Sequence, residues 1–126
     1  MIEWYVALPL MLAMHVIEDF HIQGKMADMK QSSFWEKYDS RYGDDYIPVL
    51  ILHGIEWSVF VTLPLMVADG FQTSAGLVVL IFVNALLHSY IDHLKCNEFK
   101  INLIQDQAIH ITQIVLLCAF WGMGVV

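Results

Sequence analysis

The chain has 126 residues, 58% of them hydrophobic and 15% charged, where a typical soluble domain carries about 25% charged residues. A mean hydropathy of +0.58 is more apolar surface than one water-soluble domain of this length can hide. A formal net charge of -7, with no basic stripe interleaved with aromatics, argues against a nucleic-acid partner.

Four segments are long and apolar enough to cross a bilayer core, which takes about 20 such residues. The first runs from Glu3 to Ile22, includes Pro9 and ends on Glu18 and Asp19. It lacks a basic start and a small-residue cleavage site, so it reads as a retained helix and not as a signal peptide. The connection from Gly24 to Asp45 is the only long one. There Met26, Met29, Phe34, Trp35 and Tyr38 alternate with charges, which predicts a short amphipathic helix on the membrane surface, with a lid over a site as the sharper alternative.

The second segment spans Tyr46 to Ala68, with Pro48 in its first turn, where a missing N–H costs nothing, and Pro64 in its interior. After a short turn from Asp69 to Thr73 comes the third segment, Ser74 to Leu94, and after Lys95 to Leu103 the fourth, Ile104 to Val126. The expected fold is an all-α, antiparallel four-helix transmembrane bundle forming one domain over residues 1–126. Cys96 and Cys118 fall at different depths, so a disulfide framework is not expected.

All six basic residues (Lys25, Lys30, Lys37, Arg41, Lys95, Lys100) fall in the two connections on one side, Gln23 to Asp45 and Lys95 to Leu103. The rule that Lys and Arg stay inside places those connections in the cytoplasm and both termini outside a plasma (inner) membrane.

Three histidines in these segments have an aspartate four residues away: His15/Asp19, His88/Asp92 and Asp106/His110. His53 stands alone in the second segment, near Glu56. Four residues is about one helical turn, so each pair projects from one face. Counting 1.5 Å per residue places all four histidines roughly 8 to 12 Å deep on the cytoplasmic side. Ionisable groups are expensive in a membrane and face a bundle interior or a wet cavity. Asn84 and Lys95 continue the stripe of the third segment, Gln113 that of the fourth, and Gln23 that of the first. His21 and His93 fall off these stripes, and Trp4, Trp35, Trp57 and Trp121 read as interface belt and packing residues.

Neutral imidazole with carboxylate suits one or two divalent transition metal ions, zinc first and iron or manganese next, held by His15, Asp19, His53, His88, Asp92, Asp106 and His110. The aspartates can alternatively orient the histidines as hydrogen-bond acceptors behind the metal, and spacing alone leaves those two roles open.

The blocks HxxxDFxxQ (His15, Asp19, Phe20, Gln23), HxxxDxxK (His88, Asp92, Lys95) and DQxxH (Asp106, Gln107, His110), with a lone His53 between them, resemble a family of small four-helix inner-membrane proteins of bacteria and their phages, catalogued as a domain of unknown function. The resemblance spans nearly the whole chain and implies fold and location but no activity. More distantly, the pattern is similar to membrane-bound metal-dependent hydrolases, an analogy of site chemistry.

The leading functional expectation is a metal-dependent hydrolase acting on a lipid or phosphoester at the cytoplasmic face. Glu56 or Asp92 would serve as general base and Lys95 would pair with a phosphate. A metal-ion or proton transporter is the alternative from another class, disfavoured by the nearly bare outer half, where Val59 to Ala68 offers only Thr62. A non-catalytic phage or bacterial membrane accessory protein is the third. Membrane lipids are the expected partners, together with a second copy or another membrane protein.

Overall fold

The computed structural model describes residues 3–72 and 74–124. Among these the chain is all-helical, with α1 (Trp4–Ile17) running into a π-helical turn (Glu18–Ile22), then α2 (Met26–Met29), α3 (Ser32–Glu36), a 3₁₀ turn (Ser40–Tyr42), α4 (Tyr46–Ala68), α5 (Ala75–Cys96) and α6 (Leu103–Gly122). The third long helix continues two residues past its expected end and the fourth starts one residue early. Thr73 and Val126, which close the expected turn and the expected last segment, lie outside the described residues.

Local chemistry sets the helix boundaries. Ser74 starts α5 by accepting the Leu77 N–H at 3.0 Å. Asn102 and Gln105 start α6 with a reciprocal capping box, each side chain accepting the other's backbone N–H at 2.9 and 3.0 Å. Pro48 sits in the first turn of α4, where its missing N–H leaves no hydrogen bond unmade. Gly70 ends that helix with φ +61°, a backbone state glycine reaches at little cost.

The four long helices close a ring in which α1 packs on α4 and α6, and α5 packs on α4 and α6. The α4–α5 seam is the tightest. A Cβ added to Gly54 would collide with Ser89 Oγ and lie 2.5 Å from the Ala85 carbonyl oxygen, so only glycine lets these backbones approach so closely. One half of the bundle is filled by an apolar core of Ala7 and Met11 from α1, Val61 and Leu65 from α4, and Ile114 and Leu117 from α6, with Trp57 at its edge.

The other half is polar, and this inverts the usual distribution. Among the described residues thirteen buried side chains are polar or charged against eleven buried hydrophobic ones, while Leu52, Val79, Phe82, Leu86 and Leu116 stand exposed. Such an arrangement is unfavourable in water and natural in hydrocarbon. All four long helices are long and apolar enough to cross a membrane.

The connection between the first two long helices departs from expectation. Two short helices, α2 and α3, replace the single one, because Gln31 breaks the run in an extended conformation (φ -105°, ψ 132°). Lys30, at the break, turns inward and is buried.

Candidate metal centre

The π-helical turn opens the site. Its hydrogen bond from Gln23 N to Glu18 O (3.1 Å) spans five residues in place of four, and the widened turn buries Glu18 and Asp19 side by side. Such bulges recur at functional sites because they re-aim side chains. His15 lies one turn earlier on the same face.

Four atoms from four side chains then converge: His53 Nε2, His88 Nε2, Asp19 Oδ1 and Asp92 Oδ2. His53 Nε2 lies 3.2 Å from His88 Nε2, 3.7 Å from Asp19 Oδ1 and 3.4 Å from Asp92 Oδ2. His88 Nε2 lies 4.0 Å from the Asp19 oxygen and 3.8 Å from the Asp92 oxygen. Ligands placed tetrahedrally around zinc at ordinary bond lengths are roughly 3.4 Å apart; the 3.2 and 3.4 Å separations match such an edge, and those of 3.7 to 4.0 Å are wider. Behind His53, its Nδ1 lies 3.2 Å from Glu18 Oε1 without making a hydrogen bond to it.

Asp92 reaches further with its other oxygen. Oδ1 lies 3.4 Å from His110 Nε2, which lies 3.3 Å from Asp106 Oδ1. His110 Nδ1 donates to Gln113 Oε1 at 2.9 Å and sits 3.1 Å from His88 Nδ1. With its proton on Nδ1, His110 turns a lone pair toward two carboxylate oxygens. Three acceptors facing one another need a cation or a proton between them. Asp19 Oδ1, Asp106 Oδ1, His110 Nε2 and both Glu18 oxygens are buried without a hydrogen-bond partner among the described residues. Each such orphan costs about 1 to 3 kcal/mol, more when charged, which a cation would offset. Asp19, His53 and His88, then His88, Asp92 and His110, then Glu18, His53 and Glu56 form three overlapping groups able to hold an ion.

The seven side chains expected as ligands gather at this one level, but not alike. His15 has both ring nitrogens engaged: Trp57 Nε1 donates to Nδ1 at 2.8 Å, and Nε2 faces Gln107 Oε1 at 3.0 Å. Gln107 then donates to Asp106 Oδ2 at 3.1 Å and, more weakly, to Asp19 Oδ2 at 3.4 Å. His15 therefore stands behind the donor atoms and braces the carboxylates. Lys95, expected at the mouth, donates to Asp106 Oδ2 at 2.6 Å and keeps partial exposure. Glu56 sits half-buried beside His53.

Four participants stand outside the expected ligand set, although Glu18 lies on the stripe of the first segment and Gln107 in the DQxxH block. Trp57, read as a packing or belt residue, is fully buried against the site, stacking on His88 at a centroid distance of 4.1 Å. Its position four residues after His53 was the available signal. Glu18, three residues after His15, carried the same helical signal. Gln107 sits next to Asp106 but one residue off the stripe. Lys30 had no signal: it comes from the connection, and its Nζ lies 2.5 Å from Asp92 Oδ2 and 3.5 Å from His53 Nε2. Asn97 pins that connection by donating to Lys30 O at 3.0 Å and accepting from Ser32 N at 2.8 Å.

Compared with family models, curated proteins and solved structures, the chain matches none.

Proposed function

We propose that this protein is an integral membrane hydrolase in which an antiparallel four-helix bundle holds one or two divalent transition metal ions, zinc foremost, at the cytoplasmic face of the inner membrane, and acts on a lipid or phosphoester. The observation that carries it is the buried group of Asp19, His53 and His88, whose donor atoms lie within 4.8 Å of one another, with Asp92 Oδ2 3.4 Å from His53 Nε2. Asp92, His110 and Asp106 would hold a second ion, since His110 Nε2 lies 3.4 Å from Asp92 Oδ1 and 3.3 Å from Asp106 Oδ1.

A metal bound there supplies a water acidified enough to yield hydroxide at neutral pH. Glu56, beside His53 and partly open, accepts the proton in this reading. Lys95, partly exposed beside Asp106, brings positive charge to the same level and fits an anionic substrate group. The six basic residues of the two connections support the cytoplasmic orientation and outward termini. Against transport, Met11, Trp57, Val61, Leu65 and Ile114 pack together in the half of the bundle beyond the cluster.

The test is elemental analysis of the detergent-purified chain, then an assay for phosphate or fatty-acid release from mixed lipid micelles. At least one equivalent of transition metal and chelator-sensitive product release are expected. Metal-replete protein that releases neither product defeats the hydrolase reading, and metal below a tenth of an equivalent after zinc loading defeats the metal reading.

A further inference from the structure

The connection that buries Lys30 also forms a pocket of its own, of about 400 Å³. Phe34 and Trp35 of α3, Tyr38 just after it, Tyr42 of the 3₁₀ turn and Asp45, the residue before α4, line it. Sites for small molecules run from about 300 to 1,000 Å³, so the space is sufficient for one. The Trp35 indole stands at 80° to the Phe34 ring with centroids 5.3 Å apart, and the Tyr38 ring at 63° to it and 5.7 Å away. These rings therefore meet as walls at steep angles and not as a stack. Trp35 Nε1 donates to Met29 O at 2.7 Å, which holds the indole in place, while Tyr38 and Tyr42 are 70% and 46% exposed.

Four aromatic rings with one carboxylate are a lining for a cation. Ring faces are electrically negative and attract positive charge, most strongly at Trp. Phe34 already does so within the chain, since Lys37 Nζ stands 5.6 Å from its ring centroid. Asp45 adds a full negative charge, and its side chain makes no hydrogen bond to the helix it precedes. Arg41 does not compete for it, being committed to Asp39 at 2.8 and 3.0 Å. With Glu36, Asp39, Asp44 and Asp45 against Lys37 and Arg41, the segment around the pocket is net acidic. The crevices between α5 and α6, at the α4–α5 seam and between α1 and α6 have no carboxylate in their lining.

The kind of cation follows from how few acceptors the lining offers. A primary ammonium brings three N–H donors, and here it meets one carboxylate and the tyrosine hydroxyls among aromatic carbon. A quaternary ammonium brings none, and its methyl groups pack on ring faces while its charge is felt through them. Because Asp45 immediately precedes α4, the pocket of a membrane-spanning bundle lies at the level where that helix enters the lipid. Headgroups are presented at that level.

We propose that this pocket binds a quaternary ammonium group of the choline type, free or as the headgroup of a phospholipid, with Lys37 as its internal competitor. The pocket shares no residue with the metal cluster, and the proposal goes beyond the hydrolase reading without depending on it.

The test follows the Trp35 indole N–H resonance of the full chain in maltoside, titrated with choline and with its uncharged isostere, in which a tert-butyl group replaces the trimethylammonium. Choline should bind roughly ten-fold more tightly than the isostere. Tyr38→Ala, at an exposed ring, and Asp45→Asn, at a side chain that does not cap α4, should each weaken choline about three- to ten-fold. Tyr5→Ala, at a tyrosine 61% exposed in α1, should bind like wild type. Lys37→Met should bind choline more tightly. Equal binding of choline and isostere, or wild-type affinity in both Tyr38→Ala and Asp45→Asn, overturns the proposal. In phosphatidylglycerol nanodiscs, a shift on adding phosphatidylcholine that free choline reverses assigns the site to the headgroup; a shift with free choline alone assigns it to a soluble molecule. Choline bound in this way by protein that takes up no metal supports the pocket and strikes only the hydrolase reading.

Discussion

Lys30 Nζ and Asp92 Oδ2 meet at 2.5 Å, both buried, although 62 residues separate them and one belongs to a connection between helices. This pair fastens the segment carrying α2 and α3 to α5, and it makes the ammonium a neighbour of the donor atoms. Removing one partner of a buried pair typically costs about 3 to 5 kcal/mol, because the survivor is left uncompensated. Lys30→Met should therefore lower the stability of chelator-treated protein by about that much. With zinc the loss should shrink, since the ion takes over the neutralisation of Asp92. Denaturation of the detergent-solubilised protein with and without zinc measures both, and an equal loss in the two conditions would separate the pair from the metal.

The donor atoms and the side chains behind them should respond differently to truncation. His53→Ala and His88→Ala remove atoms that converge at the centre and should abolish stoichiometric zinc. His15→Ala removes a brace whose nitrogens are already occupied by Trp57 and Gln107. Its affinity should fall about 10- to 100-fold, with stoichiometry restored at saturating metal. Competition against a chromophoric chelator reads both quantities. The reverse pattern would move His15 into the coordination shell.

Metal competes with protons for imidazole nitrogen and carboxylate oxygen, so affinity should fall as the medium is acidified. With two imidazoles in the shell, the logarithm of the affinity should approach a slope of about two per pH unit at the acid end. Zinc titrations over a series of buffers give the slope, and a flat profile would exclude His53 and His88 together.

Gly54→Ala tests the α4–α5 seam. The added methyl meets Ser89 Oγ, which can move, and the Ala85 carbonyl, which is helix backbone and cannot move alone. Overpacking of this kind costs about 1 to 3 kcal/mol. Adding Ser89→Ala should restore only part of it. Full recovery in the double variant would show that the backbone contact is unimportant.

Orientation is open to thiol labelling in a chain lacking Cys96 and Cys118. An impermeant maleimide should label Gln72→Cys in intact cells and Lys100→Cys only after lysis, both positions being exposed. The opposite pattern would invert the proposed topology.

Of the fold, the four long helices were legible because each needs only a local signal, about 20 apolar residues between polar caps. The HxxxD pairs were legible because one helical turn fixes which side chains share a face. A helix position cannot say which neighbour it will meet, however, so the division between convergent donors and braces stayed hidden. His15 and His88 carry the same motif, yet Trp57 and Gln107 occupy both nitrogens of the first while the second faces the centre. Likewise the Gly24 to Asp45 connection showed its amphipathic composition, but nothing in its pattern set Lys30 apart from Lys25 or Lys37. Composition and periodicity thus determined the solvent, the helices and the level of the polar residues. Which of those residues face one another was decided by tertiary packing, above all the π-turn at Glu18, the Gly54 contact and the burial of Lys30, because distances across the bundle depend on how the helices pack and not on spacing along any one of them.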